Sequence, residues 1–223
     1  MVQFAFYKVD PAWRREPDAV RLEDKLAFRN AAEEGDESLT VRAYTLTGIR
    51  GDCDFLLWSI SPDVDAIRSY TSRLLRTGIG RWCALPYSYL AMTKASQYKD
   101  PRNPDAPEGR RMTIRPTGRK YLFVYPFVKT RDWYLMPLEK RQEAMGTHIT
   151  VGHKFPTVKL NTTYSFGIDD QEFVVAFETD VPADFLDLVM ALRETESSKY
   201  TLRDTPIFTC IQTSIDDALN AIG

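Results

Sequence analysis

The sequence predicts an α+β protein built from two ferredoxin-like halves, each with the element order β-α-β-β-α-β, which together form a dimeric α/β-barrel. One observation behind this prediction is that segments with strand and helix periodicity follow one another in the same order twice. Another is an internal match between GIRGDCDFLLWSISPDVDAI and GIDDQEFVVAFETDVPADF, which places Phe55 and Phe173 in corresponding positions. A sheet with helices on one face leaves its second face open, and stacking two such sheets covers both open faces.

In the first half, the strand-forming segments are rich in apolar, aromatic and β-branched residues, and the helical segments carry partial apolar stripes. Asp63 provides the capping chemistry that begins the second helix, and we interpret TSRLLRTGIGRW as the end of that helix with a glycine cap. The predicted strands are Val2–Val9, Leu39–Gly48, Phe55–Ile60 and Tyr87–Thr93, and the first predicted helix runs from Pro11 to about Ala32.

The second half repeats this order. Pro137 suits the first turn of a helix that continues as LEKRQEAMGTHIT, and Pro182–Glu196 has the periodicity of an amphipathic helix. The predicted strands are Tyr121–Val128, Val158–Ser165, Phe173–Glu178 and the closing strand Ile207–Thr213.

A polar, proline-rich stretch, Lys94–Pro116, separates the halves and is typical of a loop or connector. We therefore divide the chain into an N-terminal half at residues 1–98, a connector at 99–116 and a C-terminal half at 117–223. The connector is either a plain linker or a segment whose arginines, with Arg111 and Arg115 after them, reach over a site and hold anions.

The composition excludes several classes of protein. The chain has 223 residues and a net charge of −2, which gives no global attraction to nucleic acid or to acidic membranes. Apolar runs such as YLFVYPFV are too short to span a bilayer, and the N-terminus lacks a signal-peptide profile. Cys53, Cys83 and Cys210 show no CxxC spacing, which indicates reduced thiols in a cytoplasm rather than disulfides or structural zinc.

Candidate chemistry concentrates in the stretch from Tyr125 to Gly167, which holds both of the chain's two histidines. The motifs GxGxxG, GxxxxGKS/T and HExxH are absent. Ala144 and Met145 precede His148 on the predicted Pro137 helix by four and three residues, so they share its face. A lone imidazole there is either a half-buried histidine hydrogen-bonded to backbone or an axial ligand of haem iron.

Three motifs carry a resemblance to a known family: YPFVK at 125–129, DWYLMP at 132–137, and the pair His148 and His153. They resemble the chlorite dismutase-like haem proteins and, within them, the coproheme decarboxylase branch. The resemblance implies the duplicated barrel fold, haem or iron-coproporphyrin III as the bound iron porphyrin, and a homo-oligomer, commonly a pentamer. It also implies that His148 is the proximal iron ligand, with His153 as the alternative.

The same resemblance implies roles for three further residues. Tyr125 matches the redox-active tyrosine, Lys129 matches a lysine that helps to hold the reactive propionate, and Trp133 matches an aromatic residue beside the haem edge. Tyr125 and Lys129 are four residues apart on a strand, so their side chains should point to the same face. Without the resemblance, Tyr125 would be read as an ordinary buried strand tyrosine.

Leu160 departs from the family pattern, because it falls at the residue that faces the distal side of the haem. Chlorite dismutases place an arginine there and one group of decarboxylases a glutamine, whereas leucine has neither charge nor donor. Another group uses a histidine from the connector, and this connector contains none. Residues that would anchor the other propionates are assigned more loosely to Arg111, Arg115, Thr205 and Thr209.

The resulting hypothesis is a cytoplasmic haem-pathway oxidoreductase that converts iron-coproporphyrin III to haem b with hydrogen peroxide. His148 would hold the iron, Tyr125 would relay oxidation to a propionate, and Lys129 would neutralise the reacting carboxylate. The expected partners are the porphyrin and peroxide, with no nucleic acid and no membrane insertion. The alternatives are a haem carrier or sensor without turnover, which Leu160 suggests, and a haem peroxidase of broad range, with chlorite decomposition placed lowest.

Overall fold

The computed structural model of the chain describes residues 1–34, 38–102 and 114–223. Within these ranges the strands are β1 (Val2–Val9), β2 (Thr40–Thr45), β3 (Phe55–Ile60), β4 (Cys83–Ala91), β5 (Tyr121–Lys129), β6 (Lys159–Tyr164), β7 (Phe173–Thr179), β8 (Thr201–Arg203) and β9 (Phe208–Thr213). The α-helices are α1 (Asp18–Glu33), α2 (Val64–Leu75), α3 (Arg131–Leu135), α4 (Leu138–Gly152), α5 (Pro182–Arg193) and α6 (Ile215–Asn220). Short 3-10 helices lie at Pro11–Arg15, Gly78–Trp82 and Glu196–Tyr200. No helix in these ranges is long and apolar enough to cross a membrane.

The chain divides into two compact units. The first unit contains Met1–Leu90 and Thr209–Gly223, and the second contains Ala91–Phe208. Elements follow the predicted order in both halves of the chain, which confirms an α+β protein with duplicated ferredoxin-like halves. All of β9 except Phe208 belongs to the first unit, together with α6, whereas the sequence-based division places residues 117–223 in the second half. The reason is that β9 pairs with β2, for example at Ala43 opposite Thr213.

In the first unit the strands follow the order β4-β1-β3-β2-β9. β1 and β3 are antiparallel, so that Tyr7 lies opposite Phe55, and their rings stack with centroids 4.6 Å apart. Phe28 of α1 meets both rings edge-on, and all three side chains are almost completely buried. The helices of this unit therefore cover an aromatic, fully dehydrated core.

In the second unit β7 lies between β5 and β6, and β8 pairs with the end of β5. The core combines Phe123 and Phe177 of the sheet with Phe185 of α5, and the rings of Phe123 and Phe185 stack at 3.9 Å. The carboxylate of Glu178, which is fully buried, accepts hydrogen bonds from the backbone amide and hydroxyl of Thr117, both at 2.6 Å. This carboxylate therefore attaches the residues just before β5 to the sheet.

Corresponding backbone hydrogen bonds show how closely the two halves repeat. The amide of Asp10 donates to the carbonyl of Trp82 at 2.8 Å, and the amide of Thr130 donates to the carbonyl of Tyr200 at the same distance. Two further pairs of corresponding bonds are Arg21 N to Pro17 O and Arg141 N to Pro137 O, and Gly80 N to Thr77 O and Ser198 N to Thr195 O. Positions in the two units can therefore be equated residue by residue.

The first predicted helix is interrupted. The segment Pro11–Arg15 is a 3-10 helix, and α1 begins only at Asp18. Pro17 explains the break, because a proline disfavours helical backbone at the residue before it, and Glu16 is indeed extended at ψ 151°. The sequence analysis also did not predict α3, β8 and α6, which are each six residues or fewer.

A glycine in the first unit tests this packing. A Cβ on Gly80 would lie 1.8 Å from the backbone oxygen of Leu74, so we expect Gly80→Ala to lower the free energy of unfolding by about 3 kcal/mol or more. Gly51→Ala is the matched control, because its Cβ would meet nothing within 4 Å, and its effect should stay within about 0.5 kcal/mol. Urea unfolding of both variants checks this, and equal stabilities would contradict the packing described.

Candidate functional site

His148 lies on α4, whose sequence favours a helix from Leu138 after the extended Pro137 at the N-cap. The side chain is half-buried, and its Nδ1 lies 2.9 Å from the Ser197 hydroxyl and 3.5 Å from the Thr195 hydroxyl. Among the residues that the structure describes, its Nε2 makes no hydrogen bond. One ring nitrogen is thus anchored and the other is available as a metal ligand.

The electrostatic surroundings keep the His148 imidazole neutral. Burial and, to a smaller extent, the nearby ammonium of Lys129 together lower the pKa of His148 to about 4. A neutral imidazole is the form that binds a metal, because an imidazolium has no lone pair to give.

Lys129 lies at the end of β5, and its side chain is buried with the charged ammonium. Its ammonium donates to the backbone oxygen of Ser197 at 2.5 Å and lies 4.6 Å from the centroid of the Trp133 ring. Burial lowers the pKa of Lys129 to about 8, and the carboxylate of Glu172 opposes this shift. These contacts turn its ammonium toward Ser197 and His148, and the assignment of Lys129 to a reacting propionate stays a prediction.

Trp133, on the short helix α3, is almost fully buried. Its ring lies between the rings of Tyr98 and Tyr200, with centroids 6.2 and 5.6 Å away. The sequence analysis placed Trp133 at the edge of a bound haem, and the structure places it against Lys129, one contact removed from Ser197. The Trp133 ring thus covers the buried ammonium of Lys129.

Glu172 holds the corner between β5 and α3. Its Oε2 accepts the backbone amide of Lys129 at 2.8 Å and the hydroxyl of Tyr134 at 2.5 Å, and Arg131 lies 3.9 Å from its other oxygen. The first unit uses Asp54 in the same way. Both acids directly precede the matched phenylalanines of the internal repeat, and this is the sequence signal that could have identified Glu172.

The first unit has apolar residues wherever the second unit has this polar cluster. By the equivalent hydrogen bonds described above, Val9 corresponds to Lys129, Phe28 to His148 and Ile79 to Ser197. These first-unit equivalents, Val9, Phe28 and Ile79, are fully buried in one hydrophobic core. The shared arrangement of strands and helices therefore requires no polar residues at these positions. The cluster of His148, Ser197 and Lys129 is particular to the second unit.

Tyr125 lies apart from this cluster, in the core between the sheet and α5, with its ring 6.0 Å from Phe177. Burial raises the pKa of Tyr125 well above its usual value, the Asp204 carboxylate adds to the rise, and Arg193, which is paired with Asp204, opposes it. Tyr125 is consequently a protonated phenol at neutral pH.

The other predicted site residues are scattered. Leu160 lies on β6 opposite Phe177, on the sheet face that Tyr125 shares, and is 45% exposed. His153 is at the C-cap of α4 with its Nε2 2.8 Å from Asp100, so its ring is already engaged. The side chains of Arg115 and Thr205 are exposed, Thr209 is half-buried in β9, and Arg111 lies outside the described residues.

A single imidazole limits the kind of metal that can bind. No group of three or more His, Cys, Asp or Glu side chains in the described ranges is arranged to hold a metal ion. A metal bound at Nε2 of His148 must therefore bring other ligands with it, as iron does when it is held by the ring nitrogens of a porphyrin. The residues present fit such a group.

Comparisons with known proteins show which proteins the chain is similar to. The family model described as chlorite dismutase matches residues 21–213. A relative from Mycolicibacterium smegmatis named coproheme decarboxylase is 28% identical over 98% of this chain and 92% of its own length. The chlorite dismutase of Ideonella dechloratans is 28% identical over 91% of this chain and 72% of its own length. A solved mutant structure of chlorite dismutase from Candidatus Nitrospira defluvii covers 98% of this chain and 93% of that one, with a TM-score of 0.89 at 22% identity.

The low pKa of His148 predicts a specific pH dependence. Between pH 6.5 and 4 the unfolded chain binds a proton at His148 that the folded chain does not, so this residue's contribution to stability is complete above pH 6.5 and falls as the pH falls. The stability difference between wild type and His148→Gln should therefore shrink by about 1–2 kcal/mol from pH 7 to pH 5 in the metal-free chain. Urea unfolding at both pH values measures it, with His153→Gln as the control. A difference that does not change with pH would contradict the assigned environment.

Proposed function

This chain belongs to the chlorite dismutase family, and we propose that it is a haem-binding oxidoreductase that converts iron-coproporphyrin III to haem b with hydrogen peroxide. The observation that carries the proposal is the half-buried imidazole of His148, neutral, anchored at Nδ1 and open at Nε2. The coproheme decarboxylase relative that spans 98% of the chain supports the choice of substrate.

The reaction balances as follows. Each propionate side chain loses one carbon dioxide, one proton and two electrons and becomes a vinyl group. One molecule of hydrogen peroxide accepts the two electrons and, with two protons, becomes water. The bound iron porphyrin supplies the chemistry that activates peroxide.

The chain's own residues would hold and orient this reaction. His148 would bind the iron through Nε2 and keep its ring fixed through Nδ1. Lys129 remains a prediction for neutralising the reacting carboxylate, and it would also fix the backbone of Ser197 and disfavour protonation of His148. Arg111, Arg115, Thr205 and Thr209 remain predictions for the remaining carboxylates, and a homopentamer in the cytoplasm remains an expectation.

Tyr125 would transfer oxidising equivalents to the propionate. Its phenol is protonated at neutral pH, so removing an electron from it also releases a proton, and the product is a neutral radical. Such a radical takes a hydrogen atom from a neighbouring β-carbon and so becomes a phenol again. A side chain held close to the reacting carbon supplies the positioning that this step needs.

Leu160 argues against chlorite as the substrate. Its side chain is partly exposed on the sheet face and has neither a positive charge nor a donor with which to hold an oxyanion. The same absence supports a second candidate, a haem carrier or sensor without turnover, and a general haem peroxidase is a third. Adding iron-coproporphyrin and peroxide and following vinyl products by mass spectrometry separates the decarboxylase from the carrier. Oxidation of phenols without decarboxylation would mark the general peroxidase.

Replacing the proposed iron ligand gives a direct test. His148→Ala should lose the axial nitrogen signature in the spectra of the porphyrin-loaded protein, because no other free imidazole lies on that helix face. His153→Ala is the matched control and should keep the signature, since its ring is engaged by Asp100. Loss of the signature in the His153 variant alone would mean that the iron ligand is misassigned.

Replacing the proposed redox tyrosine tests the reaction itself. Tyr125→Phe keeps the ring and most of its packing, so the fold and the porphyrin affinity should be nearly unchanged. It should nevertheless stop decarboxylation before the first vinyl group, since phenylalanine has no proton-coupled oxidation of this kind. Tyr121→Phe on the same strand is the control and should give normal yields. Wild-type yields of haem b from Tyr125→Phe would mean that Tyr125 is only a core residue.

A further inference from the structure

The hydroxyl groups behind His148 form a chain that ends at a backbone carbonyl. Nδ1 of His148 is 2.9 Å from Oγ of Ser197, which is 3.1 Å from Oγ1 of Thr195. The Thr195 hydroxyl donates to the backbone oxygen of Leu192 at 2.7 Å. Ser197 is buried, and so is Thr195, so water does not replace these partners.

The carbonyl at the end of the chain sets the direction of every hydrogen bond in it. A carbonyl oxygen can only accept, so the single hydrogen of the Thr195 hydroxyl is used on Leu192. The oxygen of Thr195 is then left to accept, and the Ser197 hydroxyl donates its one hydrogen to it. The oxygen of Ser197 in turn accepts from His148, which requires that the hydrogen of the neutral ring be on Nδ1.

We infer that Thr195 and Ser197 are positioning residues that fix the tautomer of His148, with the hydrogen on Nδ1 and the lone pair on Nε2, before any metal binds. Lys129 contributes by holding the carbonyl of Ser197 at 2.5 Å, which fixes the backbone that carries the hydroxyl. The inference deepens the proposed function, because a ring already in this form binds iron without moving a proton.

The first unit shows which residues occupy the equivalent positions where there is no histidine to orient. Thr77 corresponds to Thr195, and its hydroxyl also bonds a backbone carbonyl at the end of a helix, that of Arg73 at 2.8 Å. The residues that would continue the chain are apolar, Ile79 and Phe28. The threonine is therefore explained by the helix end alone, whereas a serine in place of the apolar residue is explained by its hydrogen bond to His148.

Nitrogen NMR of the metal-free full chain, labelled with 15N-histidine, tests the inference directly. The chain has two histidines, so His148→Gln assigns the ring signals without ambiguity. Long-range proton–nitrogen correlations then show which nitrogen of His148 carries the hydrogen at neutral pH. We expect Nδ1 in the wild type.

Three variants test the hydrogen bonds that connect Thr195, Ser197 and His148. Ser197→Ala removes the acceptor of the Nδ1 hydrogen and should shift the tautomer ratio toward Nε2–H by about fivefold, the factor that one net hydrogen bond represents. Thr195→Val leaves the serine hydrogen free to turn to Nδ1 and should shift the ratio in the same direction. Thr195→Ser keeps the hydroxyl and should keep the wild-type ratio. A purely structural role for these hydroxyls would alter stability without moving the ratio.

Two outcomes would overturn the inference: a wild-type ring with its hydrogen on Nε2, or ratios in Ser197→Ala and Thr195→Val equal to wild type. If Ser197→Ala does not fold, the wild type and the two Thr195 variants decide the question. Because no porphyrin is present, failure here leaves the proposed function standing. An axial nitrogen signature that survives in His148→Ala would overturn the proposed iron ligand and leave the tautomer result standing. In the loaded protein, Ser197→Ala should also weaken iron-porphyrin binding by about tenfold.

Discussion

The structure depends on an acceptor for one backbone amide in each unit, at the point where the chain leaves the first strand for the helix that follows. In the first unit the amide of Val9 donates to Asp54, and in the second the amide of Lys129 donates to Glu172, each at 2.8 Å. A buried amide without a partner would cost about 1–3 kcal/mol, so the acid at the start of the neighbouring strand is required by the turn itself. The tryptophan four residues later and the helix after it take their places from this corner.

Because the two units share one arrangement of strands and helices, the residues that differ between them are informative. Phe28 fills its position by burial alone, which stabilises without any need for partners. His148 at the equivalent position and Lys129 beside it must each be desolvated, and both have pKa values lowered by burial. A buried polar cluster is weak support for stability. A ligand bound by the second unit, as proposed, would explain why the cluster is present in one unit only.

The two residues with proposed roles in the second unit, His148 and Tyr125, have different surroundings. Around His148 the neighbours are hydroxyl groups and a cation, which fix a ring and keep it neutral. Around Tyr125 the neighbours are aromatic and aliphatic, and burial keeps the phenol protonated. Leu160 continues this apolar face rather than adding a charge to it. In the described residues, the proposed metal ligand thus lies on the helix side and the proposed oxidisable phenol on the sheet.

Local patterns in the chain were enough to predict the order of the elements and the duplication, because periodicity, capping residues and short motifs act over a few neighbouring residues. They did not predict that β9 pairs with β2, or that Ser197 reaches His148 from 49 positions away in the chain. They also did not predict the contact of the Lys129 ammonium with a carbonyl 68 positions away. Such contacts are decided by how the elements pack, since a buried donor takes whichever acceptor the tertiary fold brings to it, and no local pattern encodes that choice.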